Sequence, residues 1–130
     1  MIPKKILKKI PIIRRVYPSL VKKLFKLISK SEIKFNFFGI NLIGDINEPM
    51  DKEIYLFNQY ENKQIIFLIE NIKKSNFEYF IDVGANSGVY SLIVNKEFKY
   101  IKIKSYEPIK KSIEKFIINK KINQKLKNIR

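Results

Sequence analysis

The chain has 130 residues, no cysteine, histidine or tryptophan, and a formal net charge of +15. That length holds one domain at most, and the missing Cys and His exclude disulfides, thiolate zinc sites, His-dependent triads and haem attachment. The 24 Lys, 25 Ile and 12 Asn against one Ala and no Thr are the bias that AT-rich codon usage produces, so basic charge alone does not imply a nucleic-acid partner, and none is expected.

Charge is spread unevenly, with +10 over residues 1–34, −3 over 35–100 and +8 over 101–130. Over the first 30 residues, Ile6, Ile10, Ile13, Tyr17, Leu20, Leu24 and Leu27 follow a helical rhythm between Lys and Arg pairs. Pro11 and Pro18 interrupt it, which predicts a broken helix with Pro18 in the first turn of a segment over about 18–29. No apolar run reaches the ~18 residues of a membrane span, and no secretory signal is legible, so a cytoplasmic chain is expected. Two readings of residues 1–30 stand side by side. Either they pack on the domain as an amphipathic helix, the commoner fate and the preferred one, or they lie peripherally on an anionic membrane with lysines among the headgroups.

Ile33 to Ile43, β-branched and aromatic around Gly39, predicts a short β-hairpin. Helices follow from Asp51 through Phe57 and over about 62–74, the second with an apolar stripe of Ile65, Ile66, Leu68, Ile69 and Ile72. Glu78 to Val83 reads as a strand, GANSG as a turn, VYSLIVNKEF as a helix, Lys99 to Tyr106 as a strand, and 109–122 as a further helix. The last residues, KLKNIR, read as a strand hardly begun. The alternation is that of parallel βαβ units. The expected class is α/β, an incomplete Rossmann-like, doubly wound parallel sheet of two to three strands. Its parts are a basic helical extension over 1–32, a hairpin and linker over 33–50, and the N-terminal half of an enzyme domain over 51–130.

Two of the four glycines, Gly84 and Gly88, flank the only alanine in FIDVGANSGVYS. A glycine just after a strand permits positive φ and close approach to a ligand, and the following helix N-terminus offers free N–H groups. Glu107 closes the next strand, at the carboxyl edge where open α/β sheets bind ligands, and a carboxylate there accepts the vicinal hydroxyls of a ribose. Strand, glycine turn, helix, strand and acid together describe a site for an adenosine-type cofactor. G-x-G-x-x-G and GK[ST] are both absent, which disfavours a nicotinamide enzyme and a Walker phosphate loop.

DVGANSGVYS, the later YEP, and the spacing of Phe116, Asn119 and Asn123 resemble the FkbM-type methyltransferases, a class I S-adenosylmethionine-dependent group. The resemblance starts near Asp51 and includes the Tyr60–Glu61 pair. It implies S-adenosylmethionine as cofactor and methylation of a carbohydrate or small-metabolite hydroxyl. Asp82 would face the methionine end of the cofactor, Gly84, Asn86 and Gly88 would form the turn against which it lies, and Glu107 would hold the ribose. Glu61 is a further candidate contact. The plainer reading makes Asp82 and Asn86 cap or turn residues, Glu107 a strand-end acid, Glu61 a first-turn helix acid, and Asn119 and Asn123 the end of the helix over 109–122. No residue reads as a general base or a metal ligand.

The family's sheet has seven strands, so this chain is expected to be part of an enzyme or to be completed by a separate chain. Alone it should be marginally stable, aggregation-prone and without turnover. The competing functional class is a non-catalytic basic protein that associates with membrane or nucleic acid and retains a βαβ remnant.

Overall fold

The computed structural model describes residues 11–123 and residue 129. Ile6, Ile10 and most of KLKNIR therefore lie outside the described residues. The described residues fold as two compact units, one of residues 11–37 with 43–60, the other of residues 38–42 with 61–123 and 129.

In the first unit, α1 (Pro11–Leu27) is one continuous helix with Pro18 inside it, which corrects the expected break. An interior proline removes a helical hydrogen bond and crowds the preceding turn, at about 3 kcal/mol. Burial on both sides of the proline offsets this, because Ile13, Tyr17 and Val21 pack against Leu56 and Phe57. Arg14 adds a 3.0 Å hydrogen bond to Glu53, and its guanidinium lies 5.8 Å from the centre of the Phe57 ring. α2 (Pro49–Phe57) begins with its proline in the first turn, where the missing N–H costs nothing. In the same first turn, the buried Asp51 carboxylate accepts the Asp45 N–H at 2.8 Å, and Gly44 leaves the room for that carboxylate.

β1 (Glu32–Phe37) and β2 (Ile40–Asp45) form the expected hairpin as a two-stranded sheet. Its two connecting residues, Phe38 and Gly39, both have positive φ, the backbone that a type I′ turn requires.

In the second unit, α3 (Asn62–Lys73), β3 (Tyr79–Val83), α4 (Val89–Glu97), β4 (Lys102–Tyr106) and α5 (Lys110–Ile122) alternate as a βαβα unit after one helix. β3 and β4 are parallel, with Asp82 opposite Ser105 and Val83 opposite Tyr106. Ile129 makes one parallel bridge to Ile103, and among the described residues this bridge is all there is of a third strand. β4 starts at Lys102 rather than Lys99, because the buried Phe98 and Ile101 close a turn with a 3.2 Å backbone bond.

α4 buries Leu92, Ile93 and Val94 in succession. Through Ser91 it covers the sheet face that carries Asp82 and Ser105. The other face, with Tyr79, Ile81, Val83 and Tyr106, is exposed. Parallel sheets ordinarily bury both faces, so this one is half-covered, although Ile81 and Val83 are of the type that such sheets bury. Lys102 and Lys104 hold their ammonium groups 5.2 and 6.0 Å from the centre of the Tyr79 ring on that open face.

Candidate cofactor site at the glycine turn

From the end of β3 the chain turns through residues 84–88 into α4. The N–H groups of Gly84 and Ala85 both donate to the Tyr106 carbonyl, at 2.9 and 3.0 Å, which ties the turn to the end of β4. Gly84, Asn86 and Gly88 have φ of 78°, 48° and 83°. Left-handed backbone at three of five positions makes the turn tight, and two of the three are the residue type that adopts it without strain.

The two glycines differ in their surroundings. Gly84 is exposed, and a Cβ there would meet nothing within 4 Å. Gly88 is buried, and a Cβ there would overlap the Phe116 ring. Gly84 therefore borders open space that a ligand can use, whereas Gly88 permits close packing of the turn on α5.

Glu107 lies one residue beyond β4. Its Oε2 accepts the Asn86 N–H at 2.8 Å, and its Oε1 accepts the Ile109 N–H at 2.9 Å. The turn and the acid predicted to face one nucleoside are thus in direct contact. A carboxylate offers about four lone-pair positions, so two remain for hydroxyl groups.

Asp82 sits at the same strand edge, turned toward α4. Its Oδ2 accepts from the Ser91 N–H at 3.2 Å and the Ser91 hydroxyl at 2.5 Å, and that hydroxyl lies 2.7 Å from the Ser105 hydroxyl. Burial pushes the Asp82 carboxyl above its ordinary value; the Ser91 bonds pull the other way, and the Glu107 charge adds to the rise. A buried acid facing a second carboxylate favours a cation placed beside it.

Glu61, immediately before α3, holds a left-handed backbone at φ 46°, and its Oε2 accepts the Tyr90 hydroxyl at 2.8 Å. Because Tyr90 belongs to the first turn of α4, Glu61 is linked to the helix that the glycine turn opens. It is not the first-turn helix acid of the plainer reading, since it occupies the residue ahead of the helix.

Sequence reasoning missed the support behind the turn. Asn119 is fully buried, and its Nδ2 donates to the Ser87 carbonyl at 3.1 Å. Asn123 donates to the carbonyls of Asn119 and Asn41, each at 2.7 Å. Phe116 and Asn119 on α5, with Asn123 capping its C-terminal end, therefore form one stripe, and Phe116 and Asn119 brace the glycine turn. Their spacing of three and then four was the signal that could have revealed it. Ser91, Ser105 and Tyr90 carried no such signal.

Among the described residues no group of acids could hold a metal ion, and no helix is long and apolar enough to cross a membrane. The residues present fit S-adenosylmethionine: free acceptor positions on Glu107, open space against Gly84, and negative charge at Asp82.

The fold is Rossmann-like α/β. No protein-family model matches the chain, and no curated protein matches it in sequence. Among solved structures it is similar to the crystal structure of Pyrococcus abyssi tRNA (uracil-54, C5)-methyltransferase in complex with S-adenosyl-L-homocysteine, with a TM-score of 0.51 and 16% identity over 77% of this chain and 23% of that one. At that identity the likeness establishes a shared fold. The chain spans less than a quarter of that relative's length, 23%.

Proposed function

We propose that this chain forms the cofactor-binding part of an S-adenosylmethionine-dependent methyltransferase of the FkbM type, which methylates a hydroxyl of a carbohydrate or small metabolite. The observation that carries the reading is the Glu107 carboxylate held against the Asn86 N–H, beside the open space at Gly84. The fold shared with a methyltransferase supports the cofactor class. The FkbM type and the hydroxyl acceptor rest on the DVGANSGVYS and YEP motifs.

When bound, S-adenosylmethionine supplies an electrophilic methyl group on a sulfonium. Glu107 accepts two ribose hydroxyls on its remaining lone pairs, while its bonds to Asn86 and Ile109 fix the carboxylate plane. Asp82, oriented by Ser91 and Ser105, gives negative charge to the cationic end. The missing side chain at Gly84 leaves room for the cofactor body.

Calorimetric titration of the full chain with S-adenosylhomocysteine and S-adenosylmethionine tests this. Both should bind, and Glu107→Ala should weaken each at least about tenfold, the loss of a charged hydrogen-bond acceptor. Folded protein that binds neither, or binds equally well without Glu107, would overturn the reading. Methyl transfer from labelled cofactor to a sugar hydroxyl, compared with transfer to RNA, tests the acceptor class.

A further inference from the structure

We propose that the outward face of α1, with the lysine-lined cleft at its C-terminal end, is a docking surface for an anionic lipid bilayer. The two sequence readings of this helix were alternatives, but the structure gives it two apolar stripes. Ile13, Tyr17 and Val21 pack inward. Ile12, Val16, Leu20, Leu24 and Leu27 remain exposed, at 76% for Ile12, 61% for Leu24 and 80% for Leu27. A single helix of 17 residues seldom leaves five large aliphatic side chains in water unless something covers them.

Charge identifies what covers them. Residues 11–31 hold six cations and no acid. Arg14 turns to Glu53, while among the described residues Arg15, Lys22, Lys23, Lys26 and Lys30 have no ion-pair partner. Lys22, Lys26 and Lys30 line a cleft of about 440 Å³ with Ser29, Ser31 and Asn47. Three ammonium groups, two hydroxyls and an amide suit the phosphoryl oxygens of a lipid headgroup.

An occupant must therefore present negative charge and aliphatic surface side by side. A bilayer interface does so, and a helix lying in its plane buries an apolar stripe to about 5–10 Å while lysines reach the headgroups. A nucleic acid offers the phosphates without the aliphatic surface. A second copy of the chain would bring the same six cations against these.

The test is co-sedimentation of the full chain with vesicles of phosphatidylcholine, and of phosphatidylcholine and phosphatidylglycerol in equal parts. Binding should appear only with the anionic vesicles and weaken as salt rises. Lys22→Glu with Lys26→Glu should lower partitioning at least about 30-fold, from about 1 kcal/mol per cation near such a surface. Leu20→Asn with Leu24→Asn should lower it at least about tenfold. These side chains are exposed, so an unchanged melting temperature shows that the variants stay folded. Equal binding to both vesicle types overturns the proposal. So does loss with the lysine pair alone, the behaviour of a general polyanion site such as RNA. Self-association removed by the leucine pair would also overturn it, because it assigns the stripe to a second copy.

Discussion

Gly84 and Gly88 belong to one turn, stand four residues apart and share a left-handed backbone, yet they answer to different neighbours. The space beside Gly84 is empty, while the space beside Gly88 holds the Phe116 ring. One glycine keeps the backbone open to a ligand, and the other lets a helix close on the turn from behind. A glycine pair in a binding motif therefore need not be two ligand contacts. Half of this one is architecture.

Substitutions can separate the two roles. The largest effect is expected at Gly88→Ala, where the strain of a left-handed side chain, roughly 1–2 kcal/mol, adds to overpacking against Phe116 of about 1–3 kcal/mol. Urea denaturation should show that loss, and adding Phe116→Ala should recover part of it; no recovery would mean the ring is not the obstacle. Next comes Asn119→Ala, which leaves the Ser87 carbonyl unpaired in the interior and should cost about 1–3 kcal/mol by the same measurement. Gly84→Ala should cost only the backbone strain, roughly 1–2 kcal/mol, because its side chain meets no atom. Affinity for S-adenosylhomocysteine should nevertheless fall more for Gly84→Val than for any stability-matched change on α5. If the two fall equally, the contrast between the glycines fails.

The smallest effect is a pH dependence at Asp82. Its folded-state carboxyl holds its proton more tightly than an unfolded one, chiefly through burial. The contribution of Asp82 to stability should therefore be fully present below the unfolded value near 3.8, fall as pH rises through the raised folded value, and then level off. Asp82→Asn should flatten that decline in melting temperature. A steeper decline in the variant would reverse the assigned sign.

Much of this was legible in the chain. Apolar periodicity and the glycine turn placed β3, α4, β4 and α5 to within a few residues, and the pairing of Glu107 with the turn followed from parallel topology. Pro18 misled because a local rule against proline inside a helix was outweighed by packing on Leu56 and Phe57, which sequence spacing does not display. The Glu61 backbone was not legible either, since a left-handed glutamate follows from no propensity. Asn119 reads as a polar residue near a helix end until the fold shows a carbonyl waiting in the core. Its amide answers a partner 32 positions away.

The open face of β3 carries a practical consequence. Tyr79, Ile81 and Val83 form the sort of strand surface on which molecules stick to one another, and the ammonium groups of Lys102 and Lys104 stand over it like gatekeepers. Colloidal behaviour should then depend on ionic strength: the protein stays dispersed in dilute buffer and clouds as salt mutes the repulsion between those lysines.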